Sequence, residues 1–264
     1  MISNEGIQAS FVNGITEVLK ADDSVLGLTV GGSWLSGEID EFSDLDLILV
    51  TKEKISGSID RMKAYASRFG KLLSAFTGEH IGDTRVLICL YDDPLLHVDI
   101  KFLTIDEFSK RVESPVILLD KSGELRKVIE STEAKFPKPD FQWLEDRFWI
   151  WIHYALLKIG RGEYFESFDF FGSLRSIVLG PLLHMKSHSD PRGVRKLEFI
   201  SSDEDINMIK ATLPAYDKES LLRALNASVA LYRKLRSELF GDKVVLRNDA
   251  EERVMKYCDD ISAR

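Results

Sequence analysis

"GGSWLSGEIDEFSDLDLILV", residues 31–50, opens with a small-residue turn and closes on an aliphatic run interrupted by two aspartates. Asp44 and Asp46 flank a single leucine, and the four residues after Asp46 are all aliphatic. In a strand, successive side chains alternate between faces, so Asp44 and Asp46 share one face while Leu45 and Leu47 point to the other. Like charges this close repel, and half-buried carboxylates lose hydration. A positive partner is therefore required at the mouth of this strand.

Several familiar chemistries do not fit the turn. "GSWLSG" has the two glycines of a P-loop at the right separation, but Glu38 and Ile39 stand where Lys and Ser/Thr are needed. Ser33 is followed by Trp34 and Leu35, so the turn is not the G-x-S-x-G elbow of a serine hydrolase. Nor is it the G-x-G-x-x-G of a dinucleotide fold. Two carboxylates side by side on rigid backbone instead suit a hard divalent cation such as magnesium, which relieves their repulsion. Magnesium takes one or two protein carboxylates and keeps room for phosphate oxygens. Gly32 permits close backbone approach, and Ser33 offers a hydroxyl and an amide to a phosphate.

The whole chain sets the frame for this site. Its 264 residues are 44% hydrophobic and 30% charged, the composition of a globular protein with a sizeable core. The longest apolar runs are too short to cross a bilayer, and "MISNEGIQAS" lacks the basic start and apolar centre of a secretory signal. The two cysteines, Cys89 and Cys258, suggest no disulfide framework. The expectation is a cytoplasmic protein with no membrane partner. A net charge of -8 argues against general affinity for nucleic acid and is compatible with a cationic small substrate, although solubility alone explains it.

Periodicity predicts a helix over 5–20, a strand at Leu26–Val30, a strand at Leu45–Val50 and a long amphipathic helix from Ser58 to Phe76. "TRVLICLY" and "LLHVDIKFL", separated by Asp92-Asp93-Pro94, predict a hairpin, and "PVILLD" a further short strand. "EAKFPKPD", residues 133–140, is the boundary, with two prolines among charges. Beyond it "FQWLEDRFWIWIHYALLKI", "YFESFDFFGSLRSIVLGPLLHMK" and "SLLRALNASVALYRKLRSELF" predict helices. The expected fold class is α+β: a mixed β-sheet with flanking helices over 1–136, then an all-α bundle over 137–264.

Gly32-Ser33, ten residues, then Asp44-Leu45-Asp46 within "SDLDLILV" resembles the signature of the nucleotidyltransferase superfamily that includes DNA polymerase beta. That family usually has a third carboxylate on a later strand, and Asp99 in "HVDIKF" matches it, with Val98, Ile100 and Phe102 on the core side. "DRFWIWIHYALLKIGRGEYFESFDFFGSLRSIVLGPLL" further resembles the helical domain of bacterial antibiotic (aminoglycoside-type) adenylyltransferases. The resemblance implies transfer of a nucleoside monophosphate from a triphosphate, ATP by preference, to an acceptor hydroxyl, with release of pyrophosphate. It implies two magnesium ions held by Asp44, Asp46 and Asp99, with Asp99 either binding the second metal or taking the acceptor's proton. Glu163, after a glycine break between helices, is the alternative base. Gly32, Ser33 and Arg161 are the candidates for nucleotide phosphates. The acceptor would be a small cationic molecule such as an aminoglycoside, held by the helical domain of a monomer or homodimer.

Other polar groups have plainer readings. Arg147 and His153 share the R-x5-H spacing of small helical RNases, yet the intervening "FWIWI" suits a packed aromatic helix. His184 and His188 have metal-ligand spacing but no third ligand nearby, so a solvent-facing pair is expected. Arg161 has a surface ion pair as its alternative, and Glu163 a place at a helix start. Arg192, Arg195 and Lys196 form a basic loop, and Glu38, Asp40 and Glu41 an acidic one that could attract a cationic acceptor. A regulatory, antitoxin-like protein keeping the fold without catalysis is the rival function. An enzyme acting on RNA is disfavoured by the acidic balance.

Overall fold

A computed structural model describes residues 6–263; the first residue of the helix expected over 5–20 lies outside them. The chain divides into two compact units, Met1–Phe136 and Pro137–Arg264. In chain order the first contains α1 (Ile7–Lys20), β1 (Val25–Val30), α2 (Ser33–Ser36), β2 (Leu45–Thr51), α3 (Ile59–Ala66) and β3 (Lys71–Gly78). A short 3-10 turn at Glu79–Ile81 leads to β4 (Asp83–Asp92), β5 (Leu96–Leu103), α4 (Ile105–Phe108), β6 (Val116–Asp120) and α5 (Glu124–Ser131).

The six strands form one mixed sheet in the order β3-β4-β5-β2-β1-β6. Only β2 and β5 run parallel; the other neighbours are antiparallel. Alternation along β2 is strict where it matters. Leu45, Leu47 and Leu49 join Val98, Ile100 and Phe102 of β5 in a core with Val12, Ile15 and Leu19 of α1 and Met62 and Ala66 of α3. On the opposite face Val50 and Leu103 pack with Phe108 of α4 and Leu125 of α5. Asp46 lies on this second face, one strand repeat before Ile48. β4 and β5 form the expected hairpin, turning through Asp93 (φ 57°) and Pro94.

One expected element is different. The helix foreseen from Ser58 to Phe76 stops at Ala66, and Lys71–Gly78 is an edge strand. "KLLSAF" has good helix formers, but Leu72, Ser74 and Ala75 instead find backbone partners in Tyr91, Leu90 and Cys89 of β4. Pairing with a strand already anchored in the core outweighs the fraction of a kcal/mol per residue that local propensity offers.

The second unit is helical: α6 (Phe141–Arg161), α7 (Tyr164–Leu174), a π-helical segment (Arg175–Leu179), α8 (Gly180–Lys186), α9 (Leu197–Ile200), α10 (Asp203–Lys210), α11 (Lys218–Leu239) and α12 (Asn248–Ser262). The stretch expected as helix over 164–186 thus changes its hydrogen-bond step at Arg175. Aromatic residues of α6 dominate the core; Phe148 stacks on Tyr232 of α11 at 3.5 Å between ring centroids. Beneath them lies Glu145, fully buried. It accepts hydrogen bonds from Trp149 Nε1 (3.3 Å), Tyr232 Oη (2.6 Å), Arg236 Nη1 (3.2 Å) and the Arg247 amide (2.9 Å). These bonds satisfy the charge, which burial alone would make very costly. Cys89 and Cys258 are buried free thiols. Among the described residues no helix is long and apolar enough to cross a membrane.

Removing the carboxylate leaves the Tyr232 hydroxyl and the Trp149 indole without their buried acceptor, while Arg236 keeps Glu251 at 2.8 Å. Glu145→Ala is expected to lower unfolding free energy by about 3–5 kcal/mol, measured by denaturant titration of the intact chain.

Candidate active site

The turn after β1 is built from close contacts that leave no room for side chains. The Gly31 amide donates to the Asp46 carbonyl at 2.8 Å, continuing the β1–β2 ladder by one residue. Gly32 then adopts φ 61°, ψ −137°, a conformation that L side chains rarely adopt. A Cβ on Gly32 would lie 1.9 Å from Asp46 Oδ2, so the Asp46 carboxylate occupies the space a side chain would fill. A Cβ on Gly31 would lie 2.4 Å from Glu113 Oε1, and that same oxygen accepts from the Gly32 amide at 3.0 Å. The two glycines are held between two carboxylates. Ser33 opens α2 and Trp34 buries its ring in the core, fixing the helix beyond the turn.

Across the sheet, parallel register pairs Asp46 with Asp99. Paired residues on adjacent strands project to the same side, which gives the two carboxylates one face. Asp99 Oδ1 is 3.0 Å from His97 Nε2, and its side chain is 26% exposed. Burial pushes the Asp99 carboxyl above the ordinary carboxylate range; His97 opposes the shift, and the negative charge of Asp44 adds to it. Next along β5, Lys101 is bound to Asp83 at 2.8 Å, which Arg85 also holds. That cation is already engaged with another acid.

The donor set suits a magnesium ion by its chemistry: hard oxygens, with Asp44 felt electrostatically at Asp99 and Asp46 in register with Asp99. Among the described residues no three His, Cys, Asp or Glu side chains converge as a ready-made metal cage. Magnesium does not demand one, because it keeps waters and substrate phosphates among its six ligands.

The other residues singled out from the sequence fall elsewhere. Glu163 and Arg161 are brought together, but with each other: Arg161 Nε lies 2.7 Å from Glu163 Oε1, and Lys158 Nζ is 2.8 Å from Glu163 Oε2. Glu163 precedes α7 without capping it through its side chain. His184 is buried, not solvent-facing, with Nδ1 2.9 Å from Ser189 Oγ, while His188 is exposed in a left-handed conformation. The helix ends between them and separates the pair. Arg147 stacks over Trp143 and His153 packs near Tyr257, as an aromatic helix requires. In the acidic loop, Asp40 accepts from Phe42 N and Ser43 Oγ, and Gln8 binds the Asp40 and Ser43 carbonyls.

Glu113 was not foreseen. No local motif marks it, but Val30 pairs with Val116 in the antiparallel β1–β6 ladder. Residues just before Val116 therefore run beside those just after Val30, and Glu113 meets Gly31 and Gly32.

A mixed sheet presenting a Gly-Ser turn beside strand-borne aspartates defines a nucleotidyltransferase enzyme. Residues 7–188 match the streptomycin adenylyltransferase family model, and the chain belongs to that family. No curated protein matches the chain. Among solved structures it is similar to an aminoglycoside 6-adenyltransferase from Bacillus subtilis, at 18% identity and TM-score 0.42, covering 96% of this chain and 98% of that one. It is also similar to the spectinomycin adenyltransferase AAD(9) from Enterococcus faecialis, solved with ATP and spectinomycin, at 11% identity and TM-score 0.30, covering 96% and 98%.

Gly32→Ala would force a methyl group into Asp46 and strain the backbone. The expected result is a loss of about 1–3 kcal/mol in stability, read from the thermal midpoint, together with loss of nucleotide transfer.

Proposed function

We propose that this enzyme transfers AMP from ATP to a hydroxyl of a small cationic acceptor of the aminoglycoside kind, releasing pyrophosphate. The observation that carries the proposal is the in-register Asp46–Asp99 pair across parallel β2 and β5, beside a Gly-Ser turn with no side chain in the way. Family membership supports the reaction class. The B. subtilis relative is described as acting on an aminoglycoside, and AAD(9) was solved with ATP and an antibiotic; both agree with this choice of donor and acceptor.

In this reading Asp44 and Asp46 are the shared ligands of two magnesium ions, and Asp99 either completes the second metal site or takes the acceptor's proton. Bound there, magnesium supplies charge neutralisation for the triphosphate and lowers the pKa of a bound hydroxyl. The Gly32-Ser33 turn seats the triphosphate through the Ser33 amide and hydroxyl. The acceptor oxygen forms the new bond to the α-phosphorus, the bond to pyrophosphate breaks, and the hydroxyl proton passes to a carboxylate. Asp99 is the better candidate for that proton, because Glu163 is engaged by Lys158 and Arg161. Such displacements depend on positioning and charge stabilisation more than on covalent participation by the protein. The helical unit, residues 137–264, is assigned the acceptor.

The test is pyrophosphate release from magnesium-ATP across a panel of aminoglycosides and related hydroxylated amines. Acceptor-dependent release is expected, falling at least about 100-fold in Asp46→Asn and ceasing when magnesium is chelated. Acceptor-dependent release that survives Asp46→Asn would overturn the assignment of this site.

A further inference from the structure

We propose that Glu113 is a positioning residue of the nucleotide turn: its carboxylate holds the Gly32 amide and thereby sets where Ser33 meets the triphosphate. The inference rests on the reading of the Gly32-Ser33 turn as the nucleotide seat.

The geometry rests on one side-chain oxygen of Glu113. Glu113 Oε1 accepts from the Gly32 amide at 3.0 Å and lies against Gly31 so closely that a Cβ there would be 2.4 Å away. From the other side Asp46 fills the space beside Gly32 and binds the Gly31 amide through its carbonyl. One carboxylate therefore belongs to the proposed metal site, and the other fixes the backbone that the first packs against. With no Cβ, Gly32 has many conformations open to it besides the positive φ it adopts here. The hydrogen bond from its amide to a charged acceptor removes that freedom before the nucleotide arrives. Ser33 follows immediately, as the first residue of α2. It is thus presented by a turn that is already set, so the ordering entropy is not lost at binding.

Glu113 itself is held by topology. It precedes β6, whose pairing to β1 brings it beside the turn, and Pro115 between it and the strand is buried. Because it lies outside the Asp44–Asp46–Asp99 group, its effect should fall on nucleotide affinity more than on the chemical step.

The experiment compares the intact wild type with Glu113→Ala and Glu113→Gln. Three readouts are taken: magnesium-ATP binding by calorimetry, KM and kcat for pyrophosphate release, and the thermal midpoint. Glu113→Ala is expected to weaken ATP binding and raise its KM by about tenfold, with kcat changed less than about threefold. Glu113→Gln, which keeps an oxygen acceptor, is expected to restore affinity to within about threefold of wild type. ATP binding unchanged in Glu113→Ala would overturn the inference. Tighter binding in Glu113→Ala would also overturn it, since the carboxylate would then be competing with phosphate for the amide. Equal weakening in both variants with a matching fall in thermal midpoint would reduce Glu113 to packing. Failure of the wild type itself to bind ATP would instead strike at the reading of the turn as a nucleotide seat.

Discussion

Gathering carboxylates on one face of a sheet is electrostatically unfavourable, and the first unit holds Asp46 and Asp99 there on its two central strands. The Asp99 carboxyl is pushed up chiefly by burial, with His97 opposing the shift and Asp44 adding to it. The rigidity that keeps the groups from turning away comes from the parallel β2–β5 pair, flanked on both sides by antiparallel neighbours. Interior strands of a six-stranded sheet cannot relax by shifting their backbone without breaking ladders on either side. The two carboxylates therefore stay on one face, held by the ladders on either side. A fixed arrangement of this kind is typical of preorganised sites, where the folded framework does the orienting in advance.

The helical unit meets a similar problem by different means. Its buried carboxylate, Glu145, is saturated from within by an indole, a phenol, a guanidinium and a backbone amide. In the first unit Asp99 meets His97 and Glu113 the Gly32 amide, whereas Glu145 gathers four donors. The contrast separates a site from a structural anchor more clearly than burial does, since Glu145 is more deeply buried than Asp99.

Much of the first unit was legible because its signals are local. The turn, the two aspartates and the strand alternation all fall within residues 31–50, and the sidedness of Asp99 follows from its aliphatic neighbours. Features defined by distant partners were not. β3 reads as helix because its strand identity is conferred by β4. Glu113 carries no motif, since its contact is 81 residues away in sequence. The Glu145 network joins residues 87 and 102 positions apart. His184 reads as solvent-facing because no third ligand stands near it and His188, whereas its burial depends on where α8 ends.

The alternation of β2 makes one short segment serve two purposes at once. Leu45, Leu47 and Leu49 belong to the core beneath the sheet, while Asp46 between them faces the other way. The strand thus behaves like two interleaved messages read in alternate positions, one written in volume and the other in charge. Point substitutions can edit either message alone. Adding or deleting one residue upstream within the strand shifts the frame of both, sending carboxylates into the core and leucines into the site. A lineage descended from this fold can therefore vary its helical unit and its loops with some freedom. The length of this strand is the quantity it cannot drift.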